Sequence, residues 1–393
     1  MSDNRFLANF IFLSLVSGLT IGLGKIVTTL YALSLGATPF QVGVVSAMES
    51  IGMMVVTVPA GFIIARYGMR SVYFVASLGP LLVNLALPFS PSWIGLAIGR
   101  GLIGLCIPFR IVSMNSAFLE RLKTLGPAKA GWYRGTLTGG MAIVGPAAAT
   151  LLTQRLSPFI CFLLVAGLFG LMGLFSLSFM PARQAPVEGA PGVLEELRMI
   201  VANADIAESC LIEFLSSATN SLFGTFIILL AAALPLLTAQ DGIHVMLFQG
   251  VTAVAMLFLG GSLVDRFRTR TAYGLGLALA TGALFAFGLA GGFTTLALGA
   301  VLLSAGSAIV HLVNMRMLAA LPGGKSKIAG LYNLASMTGS SFGAIAGGLM
   351  SRAVPLQSIY LIWLPLLLLG AIAVRIIHQR RPQAASFATE AAE

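Results

Sequence analysis

The residues able to do chemistry in this chain are few, and most of them interrupt long apolar runs. Lys25, Glu49, Arg100, Arg110, Arg134, Glu213, His311 and Arg316 stand in such runs, joined by the amides Asn220 and Asn314. A charge near the centre of a bilayer costs at least about 2.5–3.5 kcal/mol on insertion scales, so each is a functional candidate. The chemistry they suit is proton binding and ion recognition. Glu49 falls at the depth of both Lys25 and Arg100, which gives it two possible partners. A carboxylate so placed changes its proton affinity when its surroundings change, because a cation favours its charged form and apolar burial disfavours it. A fixed structural ion pair is the alternative. Glu49, Arg100, Lys25, Glu213 and His311 are therefore the proton-coupling candidates. His311 is included because the reference pKa of histidine is near neutral, although a single His within a helix also serves as a hydrogen-bonded packing residue. Arg110, Asn220, Asn314, Arg316 and Arg134 are the substrate-contact candidates, with Arg134 and Arg316 near run ends where long side chains snorkel to the interface.

The balance of these groups points to the cargo. Five basic residues stand in the apolar runs against Glu49 and Glu213. Buried cations are unfavourable without an anion, and Arg suits bidentate carboxylate binding. An anionic or zwitterionic small metabolite would complete the set, a carboxylate siderophore being one specific form. Arg110 could meet such a substrate or pair with Glu213. Enzyme chemistry lacks support. His244, His311 and His378 form no cluster, and Cys106, Cys161 and Cys210 show no metal or disulfide spacing. Gly323-Gly324-Lys325-Ser326 resembles the end of a phosphate-binding loop, but Ala319 stands where its first glycine is required. No cofactor and no metal are expected.

The elements that must position these groups are membrane spans. The chain has 393 residues, 58% of them hydrophobic and only 9% charged, with a mean hydropathy of +0.96. Soluble domains carry about 25% charged residues. The apolar runs are long enough to cross a bilayer as helices, which excludes a water-soluble enzyme, a disordered chain and a β-barrel. Twelve spans are expected, at 7–31, 39–65, 71–90, 93–119, 130–152, 159–180, 206–233, 240–264, 271–290, 294–319, 328–351 and 356–377. The first run lacks a signal-cleavage site and reads as a retained helix. This is an all-α membrane protein with an N-terminal six-helix bundle (1–180), a cytoplasmic central loop (181–205), a C-terminal six-helix bundle (206–377) and a tail (378–393). Of the 23 Lys and Arg residues, those between spans fall almost entirely on one side, with only Arg155 and Arg352 opposite. By the positive-inside rule both termini are cytoplasmic, in an inner or plasma membrane. The net charge of +10 is thus topological and does not signal nucleic acid.

The two halves repeat. Gly61-Phe-Ile-Ile-Ala65-Arg66-Tyr67-Gly68-Met69-Arg70 returns as Gly261-Ser-Leu-Val-Asp265-Arg266-Phe267-Arg268-Thr269-Arg270, and Gly131-Trp-Tyr133 as Gly330-Leu-Tyr332. Two six-helix repeats of one orientation imply a pseudo-twofold axis along the membrane normal, with a substrate site on it near the midplane. These loops resemble the G-x-x-x-D-R-x-G-R-R/K loop of the major facilitator superfamily, and the resemblance covers essentially the whole chain. Ala65 stands in place of the usual Asp, and Arg268 in place of the usual Gly. The resemblance assigns Gly61, Arg66, Gly68, Arg70, Gly261, Asp265, Arg266 and Arg270 to a gating loop that links the halves on the cytoplasmic side. Arg100 with Gly104 is similar to the span-four R-x-x-x-G motif, whose Arg is implicated in proton coupling. Gly145-Pro146 in span five resembles the motif of the drug/proton antiporters. The resemblance implies a proton-coupled exporter, working by alternating access as an antiporter, of drugs or, on the charge balance above, of an anionic or zwitterionic metabolite. An organic-anion uptake symporter and a non-transporting membrane sensor are the alternatives. The expected partners are a small-molecule substrate, protons and the lipid bilayer, with no nucleic acid and a monomeric chain.

Overall fold

A computed structural model describes residues 3–125, 132–180, 204–264, 266–320 and 325–379. All secondary structure among them is helical. The first half holds α1 (Asp3–Ser34), α2 (Pro39–Tyr67), α3 (Met69–Ala86, ending in a 3₁₀ turn) and α4 (Trp93–Leu125). It continues with α5 (Trp132–Gly139), α6 (Gly145–Arg155) and α7 (Pro158–Phe179). The second holds α8 (Ala204–Ala233), α9 (Ala239–Val264), α10 (Thr269–Gly288), α11 (Phe293–Ala320), α12 (Lys325–Met350) and α13 (Leu356–Gln379). Ten helices are long and apolar enough to cross a bilayer over their described residues. The central loop expected at 181–205 falls almost wholly outside the described residues, as does most of the tail.

One expected span is not a continuous α-helix. The fifth pass consists of α5, a π-helical turn at Gly140–Val144, and α6. Pro146, lacking an N–H, cannot continue the ladder back to Ala142. The wider turn spreads residues where this pass crosses two neighbours: Gly140 packs on Leu15, Gly18 and Leu19 of α1, and the Ala142 carbonyl abuts Gly250 of α9. π turns of this kind favour functional positions.

The repeat is visible in the packing. α2 lies on α4 as α9 lies on α11. The fifth pass lies on α1 as α12 lies on α8, and α3 meets α7 as α10 meets α13. The halves join where α2 meets α12 and where the fifth pass meets α9, the two contacts that a twofold exchanges. The second pass of each half even starts alike. Thr38 caps α2 through Gln41, whose side-chain oxygen accepts from the Thr38 N–H at 2.8 Å. Thr238 uses Asp241 in the same way, also at 2.8 Å. Each turn before these caps needs a left-handed residue, supplied by Gly36 (φ 73°) and by the exposed Leu236 (φ 66°).

Close glycine crossings set the bundle spacing. Gly22 faces Gly145 between α1 and α6, and Gly339 and Gly343 face Phe214 and Ala218 between α12 and α8. Small residues let backbones approach where lipid offers no hydrophobic drive for helix association. Thus Gly145, with Pro146 buried beside it, serves close packing of span five on span one.

Candidate functional site

The R-x-x-x-G spacing in α4 has a direct geometric consequence. Residues four apart share a helix face. At Gly104, an added Cβ would stand 2.9 Å from the Glu49 carbonyl carbon and 3.0 Å from its Cα, so the absent side chain lets α2 lie against α4 at Glu49. One turn earlier, Arg100 reaches the Glu49 carboxylate and forms an ion pair. Both side chains are largely withdrawn from solvent, 6% and 12% exposed. Thr20, Gly24, Asn84 and Phe169 enclose them.

Lys25 does not join that pair. It lies close enough to Arg100 to feel its charge, and its Nζ extends toward α8, where a Cβ on Gly224 would stand 3.1 Å away. Among the described residues it has no carboxylate partner. This half-buried ammonium therefore sits between the halves. One turn from Gly224, Asn220 donates to the Ser307 hydroxyl at 2.8 Å and accepts from Gln249 Nε2 at 3.3 Å. Ser304 donates to the Gln249 carbonyl at 2.8 Å. Gln249 precedes Gly250, the residue on which the π turn rests. Lys25, Asn220, Gln249 and Ser307 are thus polar groups contributed by both halves around the pseudo-twofold axis. Gln249 and Ser307 escaped the sequence reading because neutral polar residues cost little inside a bundle.

A second network lies in the C-terminal half. The Tyr332 hydroxyl donates a hydrogen bond to Glu213. Tyr332 also meets His311 Nδ1 at 3.1 Å. Ser217 donates to Glu213 at 3.0 Å and contacts Ser336 at 2.7 Å. Glu213 and His311 are therefore connected through a phenol, and the carboxylate is buried. Such a chain suits proton storage or transfer. Tyr332 was legible only as an echo of Tyr133 in the repeat.

Other candidates fall elsewhere. Arg110 is 2% exposed and points into the N-terminal bundle. It donates to the Tyr73 hydroxyl at 3.0 Å and touches the Met172 sulfur at 3.2 Å. Its guanidinium lies 4.6 Å from the Phe169 ring centre. Expected as a substrate contact, with pairing to Glu213 as the alternative, Arg110 instead turns into its own bundle and does not pair with Glu213, since depth along a helix does not fix direction around it. Asn314 is buried and accepts from Tyr273 at 2.7 Å. Arg316 is exposed and donates to Thr269 at 3.1 Å, bridging the ends of α11 and α10. The Arg134 side chain lies outside the described residues.

Of the loop motif, Gly68 adopts φ 83° between α2 and α3, a conformation that favours glycine. Arg268 stands at φ −65°, so the second loop takes a path that does not need one. Arg66 is exposed and stacks on Tyr67, its guanidinium 5.4 Å from the ring centre. Arg70 is half-buried, and Arg266 and Arg270 are exposed. Asp265 and the surroundings of Gly61 and Gly261 lie outside the described residues.

Away from the basic loops, the halves are closed. Arg352 lies 3.7 Å from the Phe40 ring centre. Gly43 packs on Ala344 and Gly348, and Gln240 donates to the Thr150 carbonyl at 3.3 Å. Further along α2, Thr57 and Met54 meet Met337 and Thr338, each at 3.4 Å.

Comparison with known proteins bears on this geometry. The sequence profile described as Major Facilitator Superfamily matches residues 7–207 and 209–393. No curated protein sequence matches the chain. Among solved structures, the nucleoside transporter NupG superposes with a TM-score of 0.78 at 14% identity, over 96% of this chain and 100% of that one. A variant of the same transporter gives 0.81 at 13%, over 95% and 99%. A bacterial homologue of the human lysosomal transporter Spinster, inward-facing and unoccupied, gives 0.78 at 13%, over 96% and 97%. At such identities the likeness is one of fold.

Proposed function

The chain belongs to the major facilitator superfamily, a multi-pass membrane transporter and not an enzyme, and on that premise we propose that it is a proton-coupled exporter of a small anionic or zwitterionic metabolite. The observation that carries this reading is Lys25, a half-buried cation between the halves with no carboxylate partner among the described residues. A buried unpaired cation is costly, and an anionic cargo supplies its counter-charge at the midplane site typical of paired repeats. Asn220, Gln249 and Ser307 add the hydrogen-bonding groups that fix orientation. Carboxylate siderophores and acidic drugs belong to this class of cargo.

Protons enter through the groups behind the site. Glu49, paired with Arg100 and one shell from Lys25, is the first proton carrier; Glu213 with Tyr332 and His311 is the second. Protonating Glu49 releases Arg100 and so links proton binding to the packing of α2 on α4. The basic loops face the cytoplasm with both termini, and Arg66, Arg70, Arg266 and Arg270 gate that side. The chain works as a monomer.

The test is transport in proteoliposomes. Metabolites retained by cells lacking the protein identify the cargo, and vesicles with an imposed pH gradient then give its direction. The reading expects substrate and proton to move oppositely. Movement together would make the protein an uptake symporter, and binding without movement a sensor.

A further inference from the structure

A cavity of about 900 Å³ lies inside the C-terminal bundle, walled by α8, α10, α11 and α13, and it meets the polar groups around Lys25 only at Ser307. The repeat explains its origin. Helices α3 and α10 begin at Met69 and Thr269, and α4 and α11 at Trp93 and Phe293. That register matches Phe74 with Gly274 and Arg110 with Val310. Helices α7 and α13 begin at Pro158 and Leu356, which matches Met172 with Gly370 and Phe169 with Leu367. The buried pairs Phe162 with Tyr360 and Val165 with Trp363 support this register. In the N-terminal half, Arg110 fills the space between Tyr73, Phe169 and Met172, while Phe74 packs near Gly173. In the C-terminal half the counterparts of Arg110, Phe74, Met172 and Phe169 are all smaller: Val310, Gly274, Gly370 and Leu367. Tyr273, the counterpart of Tyr73, turns to Asn314 and Met317 instead.

The cavity opens sideways. Helices α10 and α13 meet at the end away from the basic loops, where Gly288 packs on Leu361 and Gln357 donates to the Ala290 carbonyl at 2.7 Å. Nearer the basic loops a Cβ on Gly274 would meet no atom within 4 Å, and the lining residues Gly274, Leu368 and Ile372 are exposed. The inner wall is mostly apolar, with Leu277, Leu303, Val310 and Leu367, and carries the hydroxyls of Ser216, Thr219 and Ser307 on its α8 and α11 sides. Two exposed arginines, Arg270 and Arg375, stand on its rim. Glu208 also lies on the wall, buried and already engaged within the protein.

We propose that this cavity holds an acyl chain of an anionic phospholipid from the leaflet on the basic-loop side, with its phosphate bound by Arg270 and Arg375. The volume falls within the ~300–1,000 Å³ of ligand pockets. An opening toward the bilayer lets a chain enter without leaving lipid. The guanidinium fork matches a phosphate, and basic pockets between transmembrane helices are a recurrent lipid-headgroup site. Neither a soluble metabolite nor a proton needs such a lateral door.

The experiment uses the full chain in nanodiscs with a phosphatidylglycerol probe bearing a photoactivatable acyl chain, or its phosphatidylcholine analogue, and maps labelled peptides by mass spectrometry. Labelling is expected to concentrate in 269–280 and 367–375, with the matching filled face at 69–80 and 169–177 weakly labelled. Gly274→Phe, which restores the filler of the other repeat into open space, is expected to remove most of it. Arg270→Gln with Arg375→Gln, both on exposed side chains, is expected to cut the preference for phosphatidylglycerol by roughly thirtyfold, the product of two arginines' contributions at an anionic surface. Equal labelling of the two repeats, or a lipid preference unchanged by the arginine pair, overturns the proposal.

Discussion

Replacing Glu49 by Gln removes the charge facing Arg100 while keeping its shape. Arg100 is buried, and Lys25 is a second cation within its field, so nothing nearby restores neutrality. Breaking a buried pair by removing one partner costs about 3–5 kcal/mol, because the remaining charge is stranded. Arg100→Gln strands Glu49 and is expected to cost a similar amount. The double variant strands neither, so it should be less destabilised than the sum of the singles by roughly 1.5–3 kcal/mol, the coupling typical of directly interacting charges. Unfolding of the purified protein in detergent measures all four corners of this cycle. Transport is read in parallel: Glu49→Gln should stop gradient-driven movement yet leave substrate exchange, which needs no net proton transfer. Additive single effects would refute the ion-pair argument. Full gradient-driven transport by Glu49→Gln would move proton carriage to Glu213.

Three further perturbations follow from the same geometry. Tyr332→Phe removes the hydrogen bond to Glu213 and the contact to His311; a lost bond to a charged group costs about 1.5–3 kcal/mol, and the pH profile of transport should shift while His311→Gln in the same background adds little. Gly104→Ala forces a methyl against the Glu49 backbone, so it should cost about 1–3 kcal/mol as overpacking and impair transport, measured by melting and by flux. Arg110→Ala and Glu213→Ala share no partner, so their effects on stability should add within about 0.5 kcal/mol; mutual rescue would show that the two meet.

Much of the fold was legible because the bilayer imposes it. Runs such as 159–180 are too long and apolar to be anything but spans, and their ends agree closely with α7 at Pro158–Phe179. The repeat of Gly61–Arg70 at Gly261–Arg270 foretold the symmetric packing, since equal patterns fold into equal halves. Depth along a helix brought Glu49 to Arg100, and Gly104 made the approach possible. The same reasoning stopped short where direction around the helix decides. Arg110 shares a span with Arg100 but turns to Tyr73 and Phe169, away from the axis. Lys25 is at the right depth for Glu49, yet it reaches toward the other half. The π turn arises from the conjunction of Pro146 with close packing on α1 and α9, which no local pattern expresses. The C-terminal cavity depends on residues that are smaller than their counterparts, and an absence of bulk at Gly274 or Val310 carries no signal in a single sequence.

The account turns on Lys25 as the anchor for an anionic cargo. The most direct measurement compares metabolites exported by cells carrying the native protein, Lys25→Arg or Lys25→Gln, with expression and melting temperature checked for each. The native protein is expected to release one or more anionic or zwitterionic metabolites. Lys25→Arg should retain part of that release, and Lys25→Gln should lose it by about ten- to a hundredfold, the equivalent of a charged hydrogen bond. Normal export by Lys25→Gln, or a cargo that proves to be a lipophilic cation, would contradict the account.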